Sequence, residues 1–246
     1  MESEDPYDLL LIGDVAGSCQ NILSNSDNNR GVLGTLKHGQ THLLAIKHKK
    51  TEEVPARLLM RHLFDEHNNT VVFLERPYPV GQVPAPLLKA LLELGKEKAL
   101  QMNAPLYAVH DSIQLNDLQA QRRQMSLRAL GGPAPCEYSD LAQGLKTNGK
   151  FSTTADCDLL YSPPSIKLTV KTKLKYGQNL YMRGEGGNLT WDKSLKLDWT
   201  PDGWVIEAPA GLREFKFLID DKTWERGPNH KIQQGISQTT LENIRF

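Results

Sequence analysis

From Ile166 onward the apolar residues of this 246-residue chain recur at every second position, and that period decides what its last third can become. Ile166, Leu168 and Val170 alternate with Lys167, Thr169 and Lys171. Leu180 and Met182 flank Tyr181, Trp204 and Ile206 flank Val205, and Phe215, Phe217 and Ile219 alternate with Lys216 and Leu218. Successive strand side chains point to opposite faces, so each run has one face for a core and one for solvent. Turn residues separate the runs at Tyr176-Gly177, Pro201-Asp-Gly203, Pro209-Ala-Gly211 and Asp220-Asp221. No helix-period segment interrupts them. The pattern predicts an all-β, immunoglobulin-like antiparallel sandwich over 164–246.

The alternation has a chemical corollary. With Phe215 and Phe217 facing the core, Lys216 between them faces outward. All four tryptophans, Trp191, Trp199, Trp204 and Trp224, lie in this region. Trp204 sits on an alternating strand and belongs to the core, where large aromatics are commonly buried. Trp224 follows Phe217 past the Asp220-Asp221 turn, so an indole and a lysine are expected to share one outer surface. Sugars have apolar C–H faces and hydroxyl edges. Flat aromatic area beside Lys and Asn side chains is the chemistry that binds them.

The residues from Leu174 to Ile232 carry a resemblance. It runs through Tyr176-Gly-Gln-Asn-Leu-Tyr181, Leu189-Thr-Trp191-Asp-Lys-Ser-Leu-Lys-Leu, Gly203-Trp204, Pro209-Ala-Gly211, Glu214-Phe-Lys-Phe217 and Thr223-Trp-Glu-Arg-Gly-Pro-Asn229. This order of motifs resembles the starch-binding carbohydrate-binding module of family 20, and less closely the glycogen-binding type of family 48. The resemblance implies a sugar platform at Trp191 and Trp224, with hydrogen bonds from Lys216 and Asn229. It also implies a second carbohydrate site at Tyr176, Trp199 and Trp204. The implied partner is an α-1,4-glucan polysaccharide or a maltooligosaccharide. The charged Arg183-Gly-Glu-Gly-Gly187 departs from the family pattern, as does Thr190, where glycine is usual.

Residues 1–163 read as an α/β or α+β domain. The strongest helix is Leu87 to Met102, with Leu87, Leu88, Leu91, Leu92, Leu94 and Leu100 on one stripe and Lys89, Glu93, Lys96, Glu97 and Lys98 outside it. Strands are expected at Tyr7–Ile12, Thr70–Leu74 and Leu106–Val109. A hairpin is expected from Gly31–Leu36 and Thr41–Ile46, and further helices from Pro55 to Phe64 and over Leu115–Leu130. The Gly/Pro-rich stretch at about 131–163 reads as a linker. Gly13-Asp-Val-Ala-Gly17 lacks the lysine of a phosphate-binding loop and the spacing of a dinucleotide loop. His38 and His42 are expected to be ordinary turn and strand-edge residues. The long helix followed by a strand is weakly similar to an acetyltransferase core, but Pro84-Ala-Pro86 stands where that core's glycine loop would be. No nucleophile–base or paired-carboxylate motif signals catalysis, and no cofactor or metal motif is present.

Lys and Arg number 29, as do Asp and Glu, so no net charge recruits nucleic acid or acidic lipid. No apolar run approaches the roughly 20 residues of a membrane span. The acidic Met-Glu-Ser-Glu-Asp start has the wrong sign for a secretory leader. Cys19, Cys136 and Cys157 are an odd set at unrelated spacings, which fits a reducing cytoplasm. Three functions are compatible with these features. One is a cytoplasmic glucan-binding protein whose C-terminal module docks the α/β domain on glycogen or starch. Another is an enzyme of acyl- or phosphoryl-transfer type in the first domain, localised by the module. The third is a protein-interaction sandwich that has lost sugar binding.

Overall fold

The computed structural model describes residues 2–3, 5–13, 18, 20–23, 27–37, 39–51, 53–79, 82–113, 120–131, 136–147, 150–187, 189–209, 211–232 and 238–246. Strands dominate it and helices are few. The chain divides into two compact units. One comprises Met1–Glu66, Thr70–Ala99 and Pro105–Tyr161; the other comprises His67–Asn69, Leu100–Ala104 and Ser162–Phe246. No described helix is long and apolar enough to cross a membrane.

The first unit contains strands β1 (Glu2–Ser3), β2 (Thr41–Ile46), β3 (Ala56–Phe64), β4 (Thr70–Leu74), β5 (Leu106–Val109), β6 (Gln121–Leu130), β7 (Cys136–Ser139), β8 (Gly144–Thr147) and β9 (Lys150–Tyr161). Its helices are α1 (Pro6–Leu10), α2 (Arg30–Lys37) and, through Ala99, α3 (Ala85–Gln101). One mixed sheet runs in the order β1-β2-β3-β4-β5-β9-β6, and β7 and β8 form a separate hairpin. β4 and β5 are parallel, which requires a crossover, and α3 supplies it. Leu88, Leu91, Leu92, Gly95 and Ala99 form the buried stripe of α3, at helical spacing.

Several elements differ from those read in the sequence, each for a physical reason. Tyr7–Ile12 is a short helix and a 3-10 turn, because Asp5 Oδ1 accepts the Tyr7 N–H at 2.8 Å and Pro6 starts the first turn. Gly31–Leu36 lies in α2, packed against β7. A Cβ on Gly34 would come within 1.9 Å of the Cys136 carbonyl oxygen, so glycine here permits close approach rather than a turn. The span from Pro55 to Phe64 is a strand, β3. Ala56 to Arg61 are all buried, and a short continuous apolar run does not separate a buried strand from a buried helix. Gln121–Leu130 is also a strand, despite its helical composition. Its ten residues pair one for one with Lys150–Leu159, and that ladder overrides propensity. The stretch expected as a linker therefore carries β7, β8 and β9. Gly13-Asp-Val-Ala-Gly17, beyond its first residue, lies outside the described residues, as do His38 and Cys19.

The second unit contains β10 (Ile166–Lys171), β11 (Leu180–Glu185), β12 (Leu195–Lys196), β13 (Asp198–Thr200), β14 (Gly203–Ala208), β15 (Glu214–Ile219), β16 (Thr223–Trp224), β17 (His230–Lys231) and β18 (Gln238–Glu242). One sheet runs β13-β14-β10-β18; the other runs β12-β11-β15-β16, with β17 also paired to β15. Ile166, Leu168, Val170 and Trp204 from the first sheet share a core with Leu180, Met182, Phe215 and Phe217 from the second. Burying each such side chain contributes about 1.5–3 kcal/mol. The pairing is not wholly antiparallel as expected, because β18 returns beside β10 in parallel.

Candidate functional site

Strand register builds the outer face of the sheet that contains β15. Arg183 lies opposite Lys216 and Tyr181 opposite Leu218, while Leu218 also lies opposite Trp224. Directly opposed residues share a face, as do residues two apart on a strand. Tyr181, Arg183, Lys216, Leu218 and Trp224 therefore occupy the face turned away from Phe215 and Phe217. Leu218 is only 1% exposed although it points out of the sandwich, so its neighbours on that face cover it.

A tight turn brings Trp224 to this face. The Lys222 N–H bonds to the Ile219 carbonyl at 3.0 Å, with Asp220 and Asp221 between them at φ +49° and +59°. Aspartate tolerates this left-handed region because its short side chain bonds locally. The turn is also tied to a distant segment: Asp220 Oδ1 accepts the Asn179 N–H at 2.8 Å, and the Asp220 N–H donates to the Asn179 carbonyl at 2.9 Å. Trp191 arrives separately, from the segment between β11 and β12, where Thr190 Oγ1 accepts the Lys193 N–H at 3.1 Å. The two indole centroids lie 6.2 Å apart with their planes inclined by 44°.

Arg183 reaches both segments. Its Nη1 donates to the Trp191 carbonyl at 3.1 Å, and its Nε and Nη2 donate to Asp221 Oδ1 at 3.1 and 2.8 Å. The guanidinium carbon stands 5.7 Å from the Trp224 ring centre, within cation–π range. A hydrogen bond from Ser194 and, against some desolvation, another from Arg183 hold the Asp221 carboxyl below its usual range. Lys216 Nζ donates to the Gly227 carbonyl at 2.6 Å. Beneath that loop, His230 Nε2 lies 2.9 and 3.1 Å from the two Glu225 oxygens, and its ring stacks on Phe215 at 5.2 Å. Phe215 pairs with His230 and Glu214 with Lys231, and Asn229 is the residue just before that short strand.

The structure thus brings Trp191, Trp224 and Lys216 onto one face. Asn229 is half-buried in the segment before β17, and no contact joins it to that face among the described residues. Trp224 is 39% exposed and Trp191 half-buried. The second expected site does not assemble in this way. Trp204 is 8% exposed and packed in the core, which corrects its place among the sugar-binding residues. Trp199, opposite it on β13, and Tyr176, in a turn, are both well exposed, but no ring contact joins them among the described residues. Arg183, Asp221 and the Glu225–His230 pair were not among the candidates. The charged Arg183-to-Gly187 stretch signals Arg183, and the Asp220-Asp221 turn signals Asp221.

The first unit holds two polar clusters. Arg61, Glu75 and Glu137 form a buried ionic group tied to Thr41 and Ser139. Closer to the surface, His110 Nδ1 lies 2.8 Å from Asp158 Oδ1 and its Nε2 lies 3.2 Å from Asp111 Oδ2. These three have the ligand chemistry to hold a metal ion. Beside them, Cys157 is fully buried. Burial, reinforced by the charges of Asp156 and Asp158, pushes its thiol up to about 12. A neutral, enclosed thiol is a poor nucleophile. Iodoacetamide at pH 8 is expected to leave Cys157 unmodified in the folded protein, as read by peptide mass spectrometry, and to modify it once urea is added. An adduct formed equally fast in both conditions would contradict this.

No protein-family model matches the sequence, and no curated protein matches it. Among solved structures, a glycoside hydrolase family 15 glucoamylase from Hypocrea jecorina aligns with 35% of this chain at 18% identity and a TM-score of 0.28. The alignment spans 18% of the glucoamylase chain. A structure described as α-glucan binding by a streptococcal virulence factor aligns with 56% of this chain and 76% of its own, at 16% identity and a TM-score of 0.24. Similarity at this level assigns neither fold nor function to the chain.

Proposed function

We propose that this chain binds an α-1,4-glucan, such as glycogen, starch or a maltooligosaccharide, on the outer face of its second unit. Trp191 and Trp224 stack on successive glucose rings, while Lys216 and Asn229 bond their hydroxyls. The first unit is the cargo held on the polysaccharide, and the setting is the cytoplasm. The observation that carries this reading is the indole pair, 6.2 Å apart and inclined by 44°, on the face that also presents Lys216. Two inclined rings offer two facets rather than one plane. An α-1,4-linked chain curves and presents inclined sugar faces, whereas a β-1,4-linked chain is extended and flat. Aromatic facets of matching inclination therefore favour the curved chain.

The test is calorimetric titration of the intact protein with maltoheptaose and with cellohexaose. Binding of the first and not the second is expected. Equal binding of both, or binding of neither, would remove this function.

A further inference from the structure

We infer that Arg183 is the positioning residue of this face: its guanidinium sets the angle between Trp191 and Trp224 before any ligand arrives. As it concerns sugar affinity, this rests on the glucan-binding reading above. As it concerns the indole angle, it does not.

The two rings come from segments at the periphery of the sheet. Trp191 lies outside any strand, and Trp224 ends a two-residue strand at the edge of its sheet. Arg183, by contrast, lies on β11, which is paired on both sides, to β12 and to β15. Its side chain is only 20% exposed. From that fixed base the guanidinium spends its donors in two directions. Nη1 binds the backbone carbonyl of Trp191 itself, while Nε and Nη2 bind Asp221 in the turn that delivers Trp224. The guanidinium carbon also stands 5.7 Å from the centre of the Trp224 ring. Ser194, three residues after Trp191, hydrogen-bonds Asp221 and closes the link from the other side.

A planar fork with five N–H donors can make these contacts at once; a lysine ammonium is a single point on a flexible stem. Without the fork, each indole would have to be ordered on binding, a cost that a preformed site avoids. The charged residue that departs from the family pattern is then the one that fixes the platform.

Coupled indoles held at an oblique angle give an exciton couplet in far-ultraviolet circular dichroism, so the inference has a readout that needs no sugar. The intact protein is expected to show a couplet that disappears in both Trp191→Phe and Trp224→Phe. Arg183→Gln is expected to lose the couplet while the thermal midpoint stays near that of the parent, and to weaken maltoheptaose binding about tenfold, the scale of ordering one large side chain on binding. Arg183→Lys keeps the charge and the stem, and it too is expected to lose the couplet; it carries the test if Arg183→Gln does not fold. A full couplet in either folded variant, or no couplet in the parent, overturns the inference. If the couplet depends on Arg183 but the parent binds no maltoheptaose, the positioning role stands and the glucan reading falls. If the parent binds and the couplet ignores Arg183, the reverse holds.

Discussion

Replacing Arg61 by methionine is expected to destabilise the first unit by about 3–5 kcal/mol, the cost of stranding buried charge. Arg61 is 2% exposed, and its Nε donates to Glu75 Oε1 at 2.6 Å. Nη1 donates to Thr41 Oγ1 at 3.1 Å and to Glu137, and Nη2 donates to the Tyr138 carbonyl. Burial alone would disfavour the guanidinium charge, yet the two carboxylates outweigh it and raise the group above its usual range. The environment is already rich in acid: burial, then the charge of Glu75, pushes Asp140 up to about 6. Removing the cation would take the Arg61 charge away from Glu75 and Glu137, each 1% exposed. A loss of that size is a large part of the roughly 5–15 kcal/mol that holds a domain together.

All four tryptophans lie between positions 191 and 224, so their fluorescence does not follow the first unit. Amide hydrogen exchange in peptides from β2, β3 and β4 does. Exchange there is expected to accelerate strongly in Arg61→Met at pH 7. Adding Glu75→Gln and Glu137→Gln should recover part of the loss, because the amides still accept the bonds from Ser139 and Thr41 without a net charge to compensate. Unchanged exchange in Arg61→Met would show that the ionic group does not stabilise the unit.

This group marks where sequence reading stops in the first unit. α3 is legible because a 17-residue helix repeats its apolar stripe often enough to identify the period. β3 is not legible. Its Arg57 and Arg61 look like the polar positions of an amphipathic helix, and only Glu75 and Glu137, 14 and 76 residues away from Arg61, explain how a strand buries arginine. β6 hides for a related reason: its partner, β9, lies in a stretch whose glycines and prolines read as linker. In the second unit the period of two announces the strands, and from it follows the outward side of Lys216. The turn residues then locate Trp224. Arg183 escapes because its partner Asp221 lies 38 residues on, and neither residue type names its role until register has brought them together.

Register also fixes what losing Trp224 should do. Trp224→Ala is expected to weaken maltoheptaose binding about thirtyfold, from the roughly 2 kcal/mol of apolar burial that one large ring contributes. Trp224 is the better exposed of the paired indoles, so its truncation should cost more than that of Trp191. It stands opposite Leu218, which is nearly inaccessible on the same face, and an alanine would uncover that leucine. Some loss of thermal stability is therefore expected alongside the loss of binding. Trp224→Phe separates the two effects, because a phenyl ring still shelters Leu218 while offering less stacking area. It should keep the parent's melting temperature and lose only part of the affinity. Trp199→Ala is the matched control. Trp199 is more exposed, at 67%, but makes no ring contact with another exposed aromatic among the described residues. Exposure alone would make Trp199 the stronger binder, whereas a paired platform makes Trp224 so. Calorimetric titration of the three variants decides between them, and a Trp224→Ala protein that binds as the parent does would move the site off this face.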